Sequence, residues 1–416
     1  MKVVSFITEY NPFHFGHKFH LDKSLALTGA THSISIMSSS FVQRGEPSLV
    51  DKWTKAKMAI ENGVDLVIEL PFIYSIQSAE FFALGGIKIM EALNIVDYIA
   101  FGSEIGDLEP LVNIANILVD ESEEFKAILQ DYLNLGMSFP AARSLAIKDY
   151  INLNSSLDFK YDYESILKQS NNILAIEYLK ALKSLNSSIS PIVISRQGPD
   201  YKDDKISENY ASATAIRRSI YENGINSVIN LVPEPTYKLL ESFYNKYNKF
   251  NNLENYYSVI KYLLLTIDKD KLNEILDIEN GLENRIIEKS LSSMNVKDIV
   301  ERSSTKRYPK TRIQRILIHL LTGLSGQNVK NLYAEDVPYI RFLAANKKGL
   351  QLLNLIKEKS RVPILTKFSH HENFEDSVVK EFAKFENKAT DIYYFGLNTD
   401  FKFNNMDYKT SPFIKK

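Results

Sequence analysis

The 416-residue chain contains no cysteine, which excludes disulfides, thiolate metal sites and a cysteine nucleophile. An excess of either charge is also lacking. Fifty basic residues face fifty-one acidic ones, a net charge of −1, so the chain as a whole is not built as a general polyanion binder. No apolar run approaches the roughly 18 residues needed to cross a bilayer. The opening apolar run ends at Thr8 and has no small-residue cleavage site, so it is expected to be a buried first strand and not a leader peptide. Together these absences predict a cytoplasmic protein with no membrane partner. What is present is ordinary for a globular protein, with 44% hydrophobic and 24% charged residues. At ~100–200 residues per domain the length implies two or three units.

The first 110 residues alternate short apolar runs with helical periodicity. Strands are predicted at Val3–Ile7, Ser33–Met37, Asp65–Leu70 and Tyr98–Phe101, with one more at Ile192–Ile194. Helices are predicted at about 16–27, 51–62, 80–93 and 212–221. Strands alternating with helices of this length imply an α/β fold with a doubly wound, Rossmann-like parallel sheet. Beyond about residue 225 strand-like runs become rare and helical periodicity prevails. The expected division is therefore 1–225, a nucleotide-handling domain, and 226–416, a mainly α-helical domain, with the boundary near Val232-Pro233-Glu234-Pro235. No internal repeat is found.

Ligands of doubly wound sheets sit beyond the carboxyl ends of the strands, and His14-Phe15-Gly16-His17 falls there, between the first strand and the first helix. A helix N-terminus offers unpaired N–H groups and partial positive charge to phosphate. Two imidazoles three residues apart can steady a leaving pyrophosphate, which makes His14 and His17 the candidate catalytic pair. His14, His17 and His20 also raise the question of zinc, but no carboxylate or further histidine nearby completes such a site, and no protein-held metal is expected. Ser212-Ala213-Thr214-Ala215-Ile216-Arg217 opens a predicted helix. Ser212 and Thr214 there read equally as a cap and as hydroxyl donors to phosphate. Arg44 and Lys52 flank the region after the second strand and could hold an α-phosphate or a small carboxylate; ordinary solvated charge is the competing reading.

The segment Thr8–His17 resembles the opening of the HIGH-type nucleotidyltransferase superfamily. Phe41–Pro47, Asp51–Trp53, Gly63–Phe72, Gln77–Glu80, Phe101–Glu104, Asn171–Leu174, Ser212–Arg217, Lys306–Tyr308 and Tyr339–Arg341 are similar to the bacterial tRNA(Met) cytidine acetate ligase family. That resemblance implies ATP-dependent activation of acetate as acetyl-adenylate, followed by acetyl transfer to N4 of the wobble cytidine of elongator tRNA(Met). It implies ATP contacts at Ile7, Thr8, Glu9, Tyr10, Asn11, Pro12, Phe13, His14, Phe15, Gly16, His17, Lys18, Phe19 and His20, and at Gly102, Asn171 and Arg196. Mg²⁺ is expected to accompany ATP and not to occupy a protein cage. This chain departs from the family pattern at Ser39, Ser40, Ser170, Ala175 and Lys202, which bears on the shape of the acyl pocket more than on the ATP site.

One local charge excess stands out. Residues 301–361 hold thirteen basic and four acidic residues. Lys306, Arg307, Tyr308, Lys310, Arg312 and Arg315 form a stripe of the kind that binds RNA backbone, with Tyr308 available to stack on a base. A solvated helix face is the alternative. Two other functions compete with the ligase: adenylation of a small cofactor precursor, and RNA binding with a relic nucleotide site.

Overall fold

A computed structural model of the protein describes residues 1–137, 139–154, 161–195, 211–279, 281–397 and 404–416. Strands lie at Val3–Thr8 (β1), His32–Ser38 (β2), Phe41–Val42 (β3), Glu46–Pro47 (β4), Leu66–Leu70 (β5), Tyr98–Ser103 (β6), Ser190–Ser195 (β7), Ile340–Ala345 (β8), Ile364–Leu365 (β9) and Phe413–Ile414 (β10). The helices that matter to the site are Phe15–Thr28 (α1), Lys52–Glu61 (α2), Ala79–Leu93 (α3), Ser170–Ser184 (α4), Ala213–Asn223 (α5), Lys310–Thr322 (α6) and Ser377–Gly396 (α7).

The central sheet runs β10-β8-β5-β2-β1-β6-β7, with β9 added beside β8. Strands β5, β2, β1, β6 and β7 are mutually parallel. Every residue of β2 and of β5 is buried, as expected of parallel strands covered by helices on both faces. From β1 the chain first moves outward to β2 and β5, then crosses back to β6 and β7 on the other side. Strand order therefore reverses between β1 and β6, and the crevice of such a sheet opens there.

The five parallel strands lie where the sequence predicts them. The region past 225 is mainly helical, as expected, but it also returns to the sheet. Strand β8 pairs antiparallel with β5, and β10 pairs with β8. The change of texture near 225–235 thus does not coincide with the edge of the sheet. Strand β8 escapes sequence reading because Ile-Arg-Phe-Leu-Ala-Ala is buried at all six positions, so it shows no alternation, and an arginine interrupts its apolar character.

That arginine belongs to a buried ionic cluster. The Lys52 ammonium lies 2.6 Å from Glu69, 2.7 Å from Asp407 and 2.9 Å from Glu386. Arg341 joins Glu69 and Asp407. All five residues are buried, and they come from α2, β5, β8, α7 and the segment after 404. The cluster locks the sheet to the C-terminal helices.

Candidate active site

The first helix starts on a reciprocal cap. His14 is the N-cap residue with extended backbone, and its Nδ1 accepts the Gly16 N–H at 3.1 Å. His17 reaches back, its Nδ1 accepting the His14 N–H at 3.2 Å. This is the logic of a capping box carried out by imidazoles. The two rings stack with centroids 3.8 Å apart. Because each Nδ1 is an acceptor, each neutral ring carries its proton on Nε2. Tyr10 and Phe13 pack on the His17 ring at 4.9 and 5.5 Å. Those contacts fix ring orientation and shelter the turn.

The turn itself is tied to its surroundings by polar contacts. Asn11 accepts the Leu49 N–H through its side-chain oxygen at 2.7 Å, and its backbone oxygen accepts from Arg217 at 2.9 Å. Arg217, on α5, also pairs with Glu46 of β4 at 2.9 Å. Glu9 is half-buried and accepts the Gln43 N–H at 2.8 Å. Burial pushes its carboxyl above the usual range, against the pull of that hydrogen bond and of Arg217, Lys55 and Arg44. Lys55 of α2 donates to the backbone oxygens of Ser38 and Ser39 at 2.9 Å each and of Glu9 at 3.3 Å. It thereby joins the ends of β1 and β2. Burial pushes the Lys55 amine down to about 7, against the opposing pull of Glu9 and Asp51. Beside it, the buried Ser38 and Ser39 hydroxyls and the Asn11 amide nitrogen find no hydrogen-bond partner among the described residues.

The opposite wall comes from β6 and α4. Gly102 sits in β6, paired in register with Ile194. The Glu104 carboxylate caps α4, accepting from the Asn171 N–H at 3.2 Å, the Asn171 side chain at 2.6 Å and the Asn172 N–H at 2.9 Å. Asn172 is fully buried, and its one side-chain oxygen accepts from Ser103 Oγ, Glu104 N and Ile105 N at 2.6, 2.9 and 3.3 Å. It shapes the loop after β6. Gly106, at φ 66°, lets that loop close on β7, since an added Cβ would lie 2.7 Å from the Ser195 side chain. Arg196 follows β7 directly but lies outside the described residues.

The structure thus brings the Ile7–His20 segment, Gly102 and Asn171 to the two sides of one switch point. Ser212 is the N-cap of α5, accepting the Ala215 N–H at 3.2 Å, and both Ser212 and Thr214 are exposed. Arg44 is exposed at the tip of the β3–β4 hairpin, next to Gln43 and its bond to Glu9.

Two expectations need correction. Lys52 does not face a ligand: it is completely buried and committed to three carboxylates. The basic stripe is largely neutralised. Arg312 pairs with Glu279 at 2.8 Å and donates to the Asp277 backbone oxygen, and Arg307 pairs with the same Glu279 at 2.9 Å. Arg315 is buried against Asp277 at 3.1 Å, and Lys310 meets Glu301 at 3.0 Å. Tyr308 is held between the Arg307 and Arg312 guanidinium groups, 5.3 Å from each. The acids at 277 and 279 precede the stripe by some 30 residues, outside any local count of charge. Ile313, Ile316, Leu317 and Leu320 do form the buried face of α6, with Leu321 half-buried at its edge.

Sequence reasoning missed Lys55, Asn172, Glu104 and Arg217 as site builders. Each lies in or beside a quoted motif, yet nothing local distinguishes a buried lysine or asparagine from a surface one.

With this geometry in place, comparison with known proteins is decisive. A family model described as HIGH Nucleotidyl Transferase matches residues 1–409. The tRNA(Met) cytidine acetate ligase of Clostridium perfringens strain ATCC 13124 is 42% identical over 416 residues, covering 100% of both chains. The chain belongs to this ligase family. The enzyme of the same name from Thermoanaerobacter sp. strain X514 is 43% identical over 393 residues, 94% of this chain and 95% of its own. The crystal structure of Thermotoga maritima TmcAL bound with alpha-thio ATP superposes with a TM-score of 0.91 at 30% identity, covering 100% of this chain and 99% of that one. This ligase family is thus the setting in which the β1/β6 crevice is to be read.

Proposed function

We propose that the β1/β6 crevice binds ATP with Mg²⁺ and joins it to acetate, and that the acetyl group then passes to N4 of the wobble cytidine of elongator tRNA(Met) in the cytoplasm. The observation that carries this reading is the histidine cap. It fixes both imidazoles at the N-terminus of α1, each Nδ1 engaged as an acceptor and each Nε2 the donor assigned here to phosphate oxygens.

In the first step an acetate oxygen attacks the α-phosphorus, an O–P bond forms, and the bond to the β-phosphate oxygen breaks to release pyrophosphate. Such transfers depend mostly on positioning and charge neutralisation. His14, His17 and the N-terminal N–H groups of α1 supply donors to the developing charge, and Arg196, Arg44 and the hydroxyls of Ser212 and Thr214 are the further phosphate or carboxylate contacts. Mg²⁺, when bound with ATP, neutralises the phosphates. Among the described residues no cluster of three or more His, Asp or Glu is arranged to hold a metal. The Gly102 backbone and Asn171 are the contacts assigned to the nucleoside in this reading. In the second step the cytidine amine attacks the acetyl carbonyl, AMP leaves with the former acetate oxygen, and the amine loses a proton.

The test is mass spectrometry of tRNA incubated with the protein, ATP, Mg²⁺ and isotopically labelled acetate. Labelled N4-acetylcytidine in elongator tRNA(Met), absent without ATP, is the expected result. Acetate-dependent ATP–pyrophosphate exchange with no nucleoside product would restrict the activity to adenylate formation.

A further inference from the structure

The cations of the 302–315 stripe, Lys306 apart, are nearly all paired with carboxylates, so a less compensated cationic surface is to be sought elsewhere. Helix α7 carries one. Its sequence is electrically neutral, with Lys380, Lys384 and Lys388 balanced by Glu381, Glu386 and Asp391, but the signs are divided by face. Glu386 is buried in the ionic cluster. Glu381 accepts from Asn328 at 3.0 Å, and Asp391 accepts the Asn405 N–H at 2.6 Å. The three lysines recur every four residues, so they share a face. All three are exposed, and none has a carboxylate within salt-bridge distance among the described residues.

That face borders a groove of about 660 Å³ that is also lined by His371, Phe395 and Tyr408; Asp391 is the carboxylate among its described lining residues, and Glu372 lies beside Tyr408. Phe395 is 56% exposed beside the lysines, and Tyr408 is 43% exposed with its ring edge-on to Phe368. The like charges are crowded. Burial lowers the Lys388 ammonium below its usual range, and Lys384 lowers it further. An arriving anion would relieve that repulsion.

The position of the helix adds an independent argument. The buried side of α7 crosses the carboxyl ends of two strands. Thr390 meets Ser40, just past β2, at 3.4 Å, and Glu386 accepts the Phe72 N–H, just past β5, at 2.6 Å. The lysine face is directed away from that contact, at the end of the sheet that bears the histidine turn. We infer that the outer face of α7, with Lys380, Lys384 and Lys388 on phosphates and Phe395 beside them for an unpaired base, is the surface that holds the sugar–phosphate backbone of the RNA substrate. This assignment rests on RNA being the acceptor.

The test is the full-length triple variant Lys380→Gln/Lys384→Gln/Lys388→Gln. Binding of tRNA(Met) transcript is titrated against salt, alongside acetate-dependent ATP–pyrophosphate exchange. Each lost lysine–phosphate contact lowers the salt slope by about 1, so the slope should fall by about 3 and affinity by roughly tenfold or more. Exchange should stay at the wild-type rate, and the triple Lys→Arg variant should keep both slope and affinity. A wild-type slope and affinity in the Gln variant overturns the assignment, even where the wild-type protein acetylates tRNA. If the wild-type protein binds tRNA without acetylating it and the Gln variant loses the slope, the surface stands and the acceptor chemistry falls.

Discussion

Replacing Lys52 by methionine separates a structural lysine from a catalytic one. Methionine keeps the length and apolar stem but removes the charge, leaving Glu69, Glu386 and Asp407 to share Arg341 alone. Removing one partner from a buried ionic group costs about 3–5 kcal/mol, because the remaining charges stay desolvated and unpaired. Three carboxylates within 2.9 Å of one ammonium place this site toward the upper end. At roughly 2 °C per kcal/mol for a long chain, the Tm should fall by about 6–10 °C. Pairing Lys52→Met with Glu386→Gln removes one charge of each sign and should recover part of that loss. The assay is a thermal melt of wild type, single and double variants, with ATP–pyrophosphate exchange measured well below the lowest Tm. Exchange should be largely retained there. An unchanged Tm with abolished exchange would refute the reasoning and return Lys52 to the phosphate site.

The same cluster predicts a pH dependence. Two cations face three carboxylates, so one extra proton neutralises the group. Burial, reinforced by the neighbouring Glu69, pushes the Glu386 carboxyl up to about 7. The folded protein then holds a proton that the unfolded chain releases near its ordinary carboxylate range. This stabilisation is present at low pH and is lost as pH rises from about 4.5 towards 7. A melt series over that window should show a decline that Glu386→Gln flattens; equal slopes in the two proteins would contradict it. His17→Ala removes both half of the cap, worth about 1 kcal/mol, and a phosphate donor, so exchange should drop by at least about a hundredfold while tRNA affinity holds. Unchanged turnover would displace the phosphate site from the histidine turn. Asn172→Ala leaves one buried hydroxyl and two backbone N–H groups without their acceptor, a cost of about 1–3 kcal/mol; the KM for ATP should rise, and a wild-type KM with a wild-type melt would mean that the β6 loop holds its shape without it.

How far the sequence announced these features follows from the range of the interactions involved. Strands β1, β2, β5 and β6 were legible because each is a short apolar run between helical segments, and the histidine turn because it falls after the first of them. Capping is a matter of three residues, so the Ser212 cap was also visible. The missing parts depend on distant partners. Lys52 is surface-like until Glu386 and Asp407, more than 330 residues away, are folded against it. The 302–315 stripe counts as basic until Asp277 and Glu279 are placed beside it. Helix α7 counts as neutral until its faces are resolved. Asn172 differs from Asn171 only in pointing inward.

The β5–β8 pairing bears on how the chain is made. During synthesis the parallel core emerges first, with the Leu66–Leu70 edge bare and Lys52 beside a single acid, Glu69. An open apolar strand edge is a template for pairing between molecules. It stays open until residues 340–345 leave the ribosome, and the charge around Lys52 is not settled until Asp407 follows. The nascent first half should therefore be a client for holding chaperones, and a fragment cut at residue 225 should aggregate instead of serving as a free-standing adenylating module. In cells, the switch-point crevice and the C-terminal helices would then be completed together, only after the whole polypeptide has been released.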